Sequence, residues 1–511
     1  MRYICLKTTL FFILLLLSCS ATQVYIEEQE CEEAEPVHEP FFAAIGRAVD
    51  PPGPLFFSEM DLPEDQSGFI LYDTASGITI SEHNFTRAFI PASTSKVPVA
   101  VFAFEFLGDE YRFKTSIYKT GEISDDGVLE GDIYLKGGAD PYLDLSGLLA
   151  LVDALRGAGI RNIEGNFYYD EGGFIPVPEI DASMQTYAPY NPGVSYLSVE
   201  SNLVRAFWER RQGASRVEAF LVPDLPVNSI KISDNSLLSG APFEFNREEG
   251  VEKWLLPRNT RGTGRASLPV KDPGRHTAYF FSRLCGIHGI ETGEPQKGNL
   301  PDEAERIGYY LSEPLAVLIR RMLTDSDNLA AELMMLKAAE ISAGRVLTLE
   351  EAGQEMKDFF IKEIDGVDWS EFSVARGSGL TSLNRMTPEQ MLAVILYASD
   401  MRPGGRPFSR YLPAGGWQSS TERRFRGDSE VFRVYAKAGA INYALSLAGY
   451  IYTDKGNKLA FCIMVSDPEK RAGLEVAREA GLRSDTNITR HWMDLRRSAI
   501  DSVVTEWIKS H

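Results

Sequence analysis

Cysteine is scarce in this 511-residue chain, with five occurrences at positions 5, 19, 31, 285 and 462. Their scatter excludes a disulfide framework and offers no ligand spacing for zinc. Cys285 and Cys462 sit in apolar stretches and are expected in the core. Long hydrophobic runs are missing beyond the first twenty residues, so no later segment approaches the ~20 apolar residues that a membrane span requires. Positive charge is in deficit, with 52 basic residues against 72 acidic ones and a formal net charge of −20. That balance repels a phosphate backbone and argues against nucleic acid as a partner.

What is present is globular in kind. Hydrophobic residues make up 44% and charged residues 24%, enough for a large core, and the length suggests two to four folding units. Arg2 and Lys7 precede the apolar run Thr9 to Leu17, the form of an export signal. The run ends at Leu16-Leu17-Ser18-Cys19, which resembles a lipobox with Cys19 as the lipidated first residue; an ordinary signal cut after Ala21 is the alternative. Residues 20 to 65 carry the acidic cluster Glu27 to Glu35 and several prolines, and read as a solvated linker.

Order is expected from Gly68-Phe69-Ile70-Leu71-Tyr72, with a turn at 74–77 and a second strand from Ile78. Pro91-Ala92 introduces a helix whose apolar residues, Val97 to Leu107, are too dense for a surface position. From 118 to 295 short strands with Gly and Pro punctuation, and one helix near 145–157, suit an inserted accessory module. Helical patterning returns at 311–322, 329–343 and 388–398, strands at 446–453 and 458–466, and closing helices at 469–481 and 491–508. The flanks, 66–117 and 296–511, thus form one α/β (α+β) domain with an antiparallel sheet flanked by helices, interrupted by a mostly-β insert.

Three short elements carry chemistry. A serine hydroxyl attacks a carbonyl only when something removes its proton, and in Ser93-Thr94-Ser95-Lys96 a lysine lies one helical turn from the serine. At a helix start, the Ser93 N–H can also help hold an oxyanion. The spacing alone is weak, and Ser116-Ile117-Tyr118-Lys119 repeats it in a strand-like segment. Ser326-Asp327-Asn328 stands directly before a helical run, whereas its twin Ser233-Asp234-Asn235 is followed by loop sequence. Either copy alone could be a cap or a turn. Lys437-Ala438-Gly439 precedes a strand, where the lysine could keep a pocket electropositive or simply be a solvated hairpin lysine.

Taken in chain order, the three elements are far more specific than any one, since Ser-x-x-Lys, Ser-Asp-Asn and Lys-Thr-Gly together mark β-lactamases and penicillin-binding proteins. The chain resembles the D-alanyl-D-alanine carboxypeptidase/endopeptidases of the class C low-molecular-mass penicillin-binding proteins, the peptidase S13 family. The resemblance extends to Phe89 through Lys96, Gly131 through Pro141, Ile163 through Asp170, Gly377-Ser378-Gly379-Leu380 and Leu447 through Tyr450. It implies a penicillin-binding transpeptidase-like fold in an exported, periplasmic protein. Peptidoglycan stem peptides are the implied substrates and β-lactams the implied covalent inhibitors, and no metal or cofactor is needed.

The resemblance also implies the roles. Ser93 is acylated, Lys96 takes its proton, Ser326 relays a proton to the leaving amine, Asn328 holds the substrate amide and Lys437 supplies positive charge. The oxyanion lies between the N–H groups of Ser93 and Ala440, beside Gly439. Lys96 can act near pH 7 only if its pKa falls well below about 10.4, which burial beside Lys437 could achieve.

Departures cluster where specificity is set. Ala438 replaces a threonine that resembles a ligand for the substrate's terminal carboxylate; losing that bond weakens recognition by roughly 1.5–3 kcal/mol, mainly for carboxypeptidase action. Arg376 stands where the family has aspartate, and Ser382 where an arginine meets the carboxylate of diaminopimelate. Asp170 and Phe174 remain in the region resembling the stem-peptide pocket. A third stem residue with an amine but no such carboxylate, ornithine or lysine, is the expectation. The competing reading is a catalytically weak or inactive envelope lipoprotein serving as a scaffold, for which Ala438 and Arg376 are the support.

Overall fold

The computed structural model describes residues 62–209, 217–233, 242–479 and 486–511, with the backbone of Gly46–Arg47. The signal segment, Cys19, the acidic linker up to 61, and Asp234-Asn235 of the second Ser-Asp-Asn copy lie outside the described residues.

A six-stranded sheet runs through the centre in the order Gly46–Arg47, Ile78–His83, Ser67–Asp73, Lys458–Ser466, Ala444–Tyr452, Val434–Ile441. All its pairs are antiparallel except that of Gly46–Arg47 with Ile78–His83. Side chains alternate across a strand, and Lys458–Ser466 shows why its run of apolar residues is unbroken. Leu459, Phe461, Ile463 and Val465 face one core, while Ala460, Cys462 and Met464 face the other. The first core is closed by the C-terminal helix Thr486–Ser510 through Val503, Val504 and Trp507. The second is filled by Lys96–Leu107, Leu315–Asp325, Asn328–Ala343, Leu349–Glu363 and Pro388–Ser399. Lys96–Leu107 is buried on every side from Lys96 to Phe104, as its apolar density requires. Burial of side chains such as Val99, Val101 and Phe102 contributes about 1.5–3 kcal/mol each.

Between the flanks the chain builds a second sheet, ordered Pro295–Lys297, Phe167–Asp170, Ile133–Lys136, Lys114–Lys119, Glu305–Leu311. Two helices cover it, Leu145–Gly157 and Pro273–Ile287, around a core that includes Phe281 and Cys285. Sequence patterning does not predict the second of them. Its segment is rich in Gly, Thr, Tyr and Phe, poor helix formers that tertiary packing overrides. Two three-stranded sheets between 203 and 269 pack around the buried Trp254. The expected border positions 117/118 and 295/296 lie on Lys114–Lys119 and Pro295–Lys297, both strands of this sheet. Lys114–Lys119 pairs with Glu305–Leu311, and beyond that pair the Ser312 N–H donates to the Phe113 carbonyl at 2.9 Å.

The segment 171–199 returns to the half built on the six-stranded sheet. Phe174, Ile180, Met184, Val194 and Tyr196 join the same core as Lys96–Leu107. Among the described residues no helix is long and apolar enough to cross a membrane.

Candidate active site

The site grows from a turn. Ala92–Ser95 forms one 3-10 turn that runs directly into Lys96–Leu107, with Ala92 held in the left-handed region at φ 47°. The Pro91 carbonyl pins the turn by accepting from Ser446 Oγ at 2.5 Å and Thr94 Oγ1 at 2.6 Å. Three residues after Ser93 on this helical path, Lys96 reaches back, and its Nζ donates to Ser93 Oγ at 3.0 Å. The same amine donates to Asn328 Oδ1 at 2.7 Å and to the Ser378 carbonyl at 2.8 Å.

Lys96 is fully buried. Burial pulls its pKa from the ordinary 10.5 down to about 7, against the opposing charges of Glu332 and Asp327. The neutral amine that proton abstraction requires is therefore populated near neutral pH. Lys437, almost as deeply buried, is held well below the usual lysine range by desolvation first and by the neighbouring Lys96 charge second.

Ser326 and Asn328 owe their placement to a helix break. Leu315–Asp325 ends with Ser326 in the left-handed conformation at φ 57°, and Asp327 caps the next helix by accepting from Ala330 N at 3.0 Å. This bend turns Ser326 Oγ toward Lys437, whose Nζ donates to it at 2.9 Å. Ser93, Lys96, Ser326, Asn328 and Lys437 thus converge.

Glu332 is a site residue that motif reasoning missed. Fully buried, it accepts from Gly377 N and Ser378 N, each at 2.9 Å, and so fixes the turn whose Ser378 carbonyl receives Lys96. Burial raises its carboxyl pKa, opposed by those hydrogen bonds. The available signal is one acid inside the apolar helical run Leu329 to Leu336.

Val434–Ile441 is the edge strand of the central sheet, bridged over its first residues by 413–415 and open beyond them. Its outward direction is set by Ala436, whose N–H donates to Pro413 O, and by Val434, whose carbonyl accepts from Gly415 N. With a period of two, the N–H and carbonyl of Ala440 also face outward, toward Ser93 and the cleft. Gly439 permits the approach, because a Cβ there would lie 2.8 Å from Ser93 N and 2.3 Å from Ser446 Oγ. A cleft of about 570 Å³ opens here, lined by Ser93, Ser326, Asn328 and Ala440 among others. The insert forms its opposite wall through Met184, Gln185 and Tyr190, and the Tyr190 carbonyl accepts from Asn328 Nδ2 at 2.8 Å.

Three other expected substrate residues, Asp170, Phe174 and Ser382, do not line this cleft. Both Asp170 oxygens are engaged by backbone, Oδ1 by Gly172 N at 2.7 Å and Oδ2 by Leu300 N at 3.0 Å. Phe174 stacks on Tyr196 with ring centroids 5.0 Å apart. Ser382 is half-buried beyond the glycine turn, and Ala438 packs at the margin of the core under the C-terminal helices. Arg376 has a tethering role that the sequence did not disclose. Its side chain donates to the Ile180 carbonyl of the insert and to Glu350 Oε1 at 2.6 Å, tying the insert wall to the catalytic half.

The family model described as D-Ala-D-Ala carboxypeptidase 3 (S13) family matches residues 57–484. The chain is similar to the D-alanyl-D-alanine carboxypeptidase DacB of Haemophilus influenzae, 25% identical over 78% of this chain and 85% of the relative. It is also similar to a D-alanyl-D-alanine carboxypeptidase of an Actinomadura species, 24% identical over 82% of this chain and 80% of that one. Among solved structures, penicillin binding protein 4 (dacB) from Haemophilus influenzae shares the fold with a TM-score of 0.70 and 22% identity, covering 83% of this chain and 99% of its own. With the matched region spanning both flanks and the insert, the chain belongs to the D-Ala-D-Ala carboxypeptidase 3 (S13) family.

Proposed function

We infer that this chain is a serine-type D-Ala-D-Ala carboxypeptidase that hydrolyses peptidoglycan stem peptides through an acyl-enzyme on Ser93. The observation that carries the residue assignment is the buried Lys96 amine, 3.0 Å from Ser93 Oγ and depressed to a pKa of about 7.

The substrate lies along the open edge of Val434–Ile441, as an added strand would. Lys96 takes the Ser93 proton as Oγ attacks the carbonyl carbon, and the N–H groups of Ser93 and Ala440 hold the oxyanion. As the tetrahedral adduct collapses, Ser326, hydrogen-bonded to Lys437, passes a proton to the departing amine, and the C–N bond breaks. Water then attacks the ester by the reverse proton route and frees Ser93. Asn328, oriented by Lys96 and by the Tyr190 carbonyl, presents its amide to the substrate backbone. Endopeptidase cleavage uses the same steps.

The reading extends to export with Cys19 as a lipid anchor, to a periplasmic site of action, and to β-lactams as acylating inhibitors. The Haemophilus influenzae relative was solved in complex with a β-lactam. The absence of arginine at 382 supports a third stem residue lacking the diaminopimelate carboxylate. A mass spectrum of the intact protein after exposure to benzylpenicillin, with peptide mapping, tests the assignment. One adduct on the peptide containing Ser93 is expected; no adduct would favour the scaffold reading.

A further inference from the structure

The reaction above leaves one end of the cleft unused. There Val434–Ile441 turns through Asn442 and Tyr443 into Ala444–Tyr452, and helix Pro468–Glu479 starts beside that turn, with Asp467 N donating to Tyr443 O at 2.9 Å. Arg471, one turn into this helix, is 2% exposed and lines the cleft with Ala440 and Asn442. Its Nε donates to Glu475 Oε1 at 2.8 Å, but its Nη2 is buried with no hydrogen-bond partner among the described residues. A buried guanidinium N–H left unmatched is costly, and native proteins retain such groups where a ligand or ion completes them. Arg490 and Arg497 line the same end, where the acid Asp494 is already paired to Arg497 at 2.7 Å. In a chain of net charge −20, this end of the cleft sets three arginines against two acids, Glu475 on Arg471 and Asp494 on Arg497.

The direction of the edge strand assigns the substrate half concerned. Lys437 and Ser326 mark the leaving side, Gly439 passes Ser93, and Ala440, Asn442 and Arg471 follow on the far side. The acyl half of the peptide therefore extends toward Arg471.

We propose that Arg471 is a specificity residue that binds a carboxylate on the acyl half of the substrate peptide, N-terminal to the scissile bond. This rests on the serine peptidase reading above. The planar guanidinium suits carboxylate, and the pair would satisfy Nη2. Two sources share this chemistry, namely the free α-carboxylate of a γ-linked glutamate, which a stem with lysine or ornithine at the third position retains, and a side-chain carboxylate on the third residue, whose recognition would overturn the reading of Ser382 given above.

The test uses the full chain and synthetic stem pentapeptides ending in D-Ala-D-Ala. Four peptides combine lysine or diaminopimelate at the third position with carboxylate or carboxamide on the preceding glutamate. For the wild type, converting the recognised carboxylate to its neutral counterpart is expected to raise KM on the order of tenfold to a hundredfold. The arm that responds identifies the source. Arg471→Gln is expected to raise KM for the carboxylate peptide to the neutral peptide's value, with Arg471→Lys intermediate. Benzylpenicillin is neutral on its acyl side, so its acylation of Ser93 should stay within about twofold in Arg471→Gln, which also shows that the variant folds. Equal wild-type KM values across all four peptides, or equal losses toward penicillin and peptide, would overturn the assignment of Arg471 while leaving the peptidase intact. Failure of penicillin to acylate the wild type would remove the peptidase reading and this proposal together.

Discussion

Two segments of this chain carry a serine three residues ahead of a lysine, and the fold treats them in opposite ways. Ser93 and Lys96 lie on a helical path, so three residues bring the side chains to one face and the amine reaches the hydroxyl at 3.0 Å. Ser116 and Lys119 lie on a strand, where three residues span about 10 Å and point to opposite faces. Ser116 is buried in the second sheet, while Lys119 pairs with Glu305 at 2.9 Å. The contrast continues one step further, because Lys119-Thr120-Gly121 spells the family's triplet intact inside the insert, whereas the cleft holds Lys437-Ala438-Gly439. Thr120 Oγ1 accepts from Asp132 N at 3.1 Å and serves the sheet. Chemistry follows the backbone that presents the letters.

The sharpest way to break this contrast is to remove each serine in turn. Ser93→Ala should abolish covalent labelling by a fluorescent penicillin and all release of D-alanine, since among the described residues no other hydroxyl stands against the Lys96 amine as a nucleophile. Ser116→Ala should keep both. Labelling that survives in Ser93→Ala would mean that the wrong segment has been assigned.

The lysines give the next largest difference. Lys96→Ala should slow acylation by about 10²–10⁴-fold, the usual worth of a positioned base, and Lys119→Ala should leave it unchanged. In the wild type the acylation rate should rise with pH through a midpoint near 7, because only the neutral amine takes the proton. Stability follows the same sign. Between pH 7 and 10.5 an unfolded Lys96 holds a proton that the folded one has released, so this group makes stability rise with pH across that window. A rate profile flat from pH 6 to 8 would count against Lys96 as the base.

Much of this was legible in advance where one local rule decides the outcome. The helix Leu145–Gly157, the strand Lys458–Ser466 and the five converging residues lie where periodicity and motif order put them. Contacts made by partners distant in sequence were not legible. Ser446 holds the Pro91 carbonyl from 355 residues away, and Arg376 reaches Ile180 across 196. Asp170 resembled a pocket residue, yet its carboxylate is consumed by the backbone of Gly172 and Leu300. Spacing describes a helix turn well, but it carries no information about which loop returns to it.

Glu332 tests how far the helical segment depends on such a partner, for which the strand segment has no counterpart. Glu332→Gln leaves one oxygen for two N–H groups and turns an amide N–H₂ toward the other. A loss of about 1–3 kcal/mol in denaturant unfolding is expected. Removing this buried anion also withdraws one of the charges that raise the Lys96 pKa, so the midpoint of the acylation profile should move downward. An upward shift would contradict the influence assigned to Glu332 on the Lys96 amine.

The narrowest expected effect is a gain, and it restores to the cleft the letter that the insert already has. Ala438 follows Lys437 on the open edge, and its own carbonyl accepts from Lys437 Nζ at 2.9 Å, so the position borders the buried Lys437 amine at the leaving side. A hydroxyl there adds a donor for a terminal carboxylate. Ala438→Thr should therefore lower KM for a peptide ending in free D-Ala on the order of tenfold to a hundredfold, from roughly 1.5–3 kcal/mol for a hydrogen bond to a charged group. A cross-linked substrate, whose leaving side presents no free carboxylate at that point, should be cleaved at an unchanged rate. The ratio of the two activities is the informative quantity, since a general change in strand geometry would move both together. An unchanged ratio would mean that the terminal carboxylate is not seated beside residue 438, and that the alanine there has no part in setting the balance between carboxypeptidase and endopeptidase action.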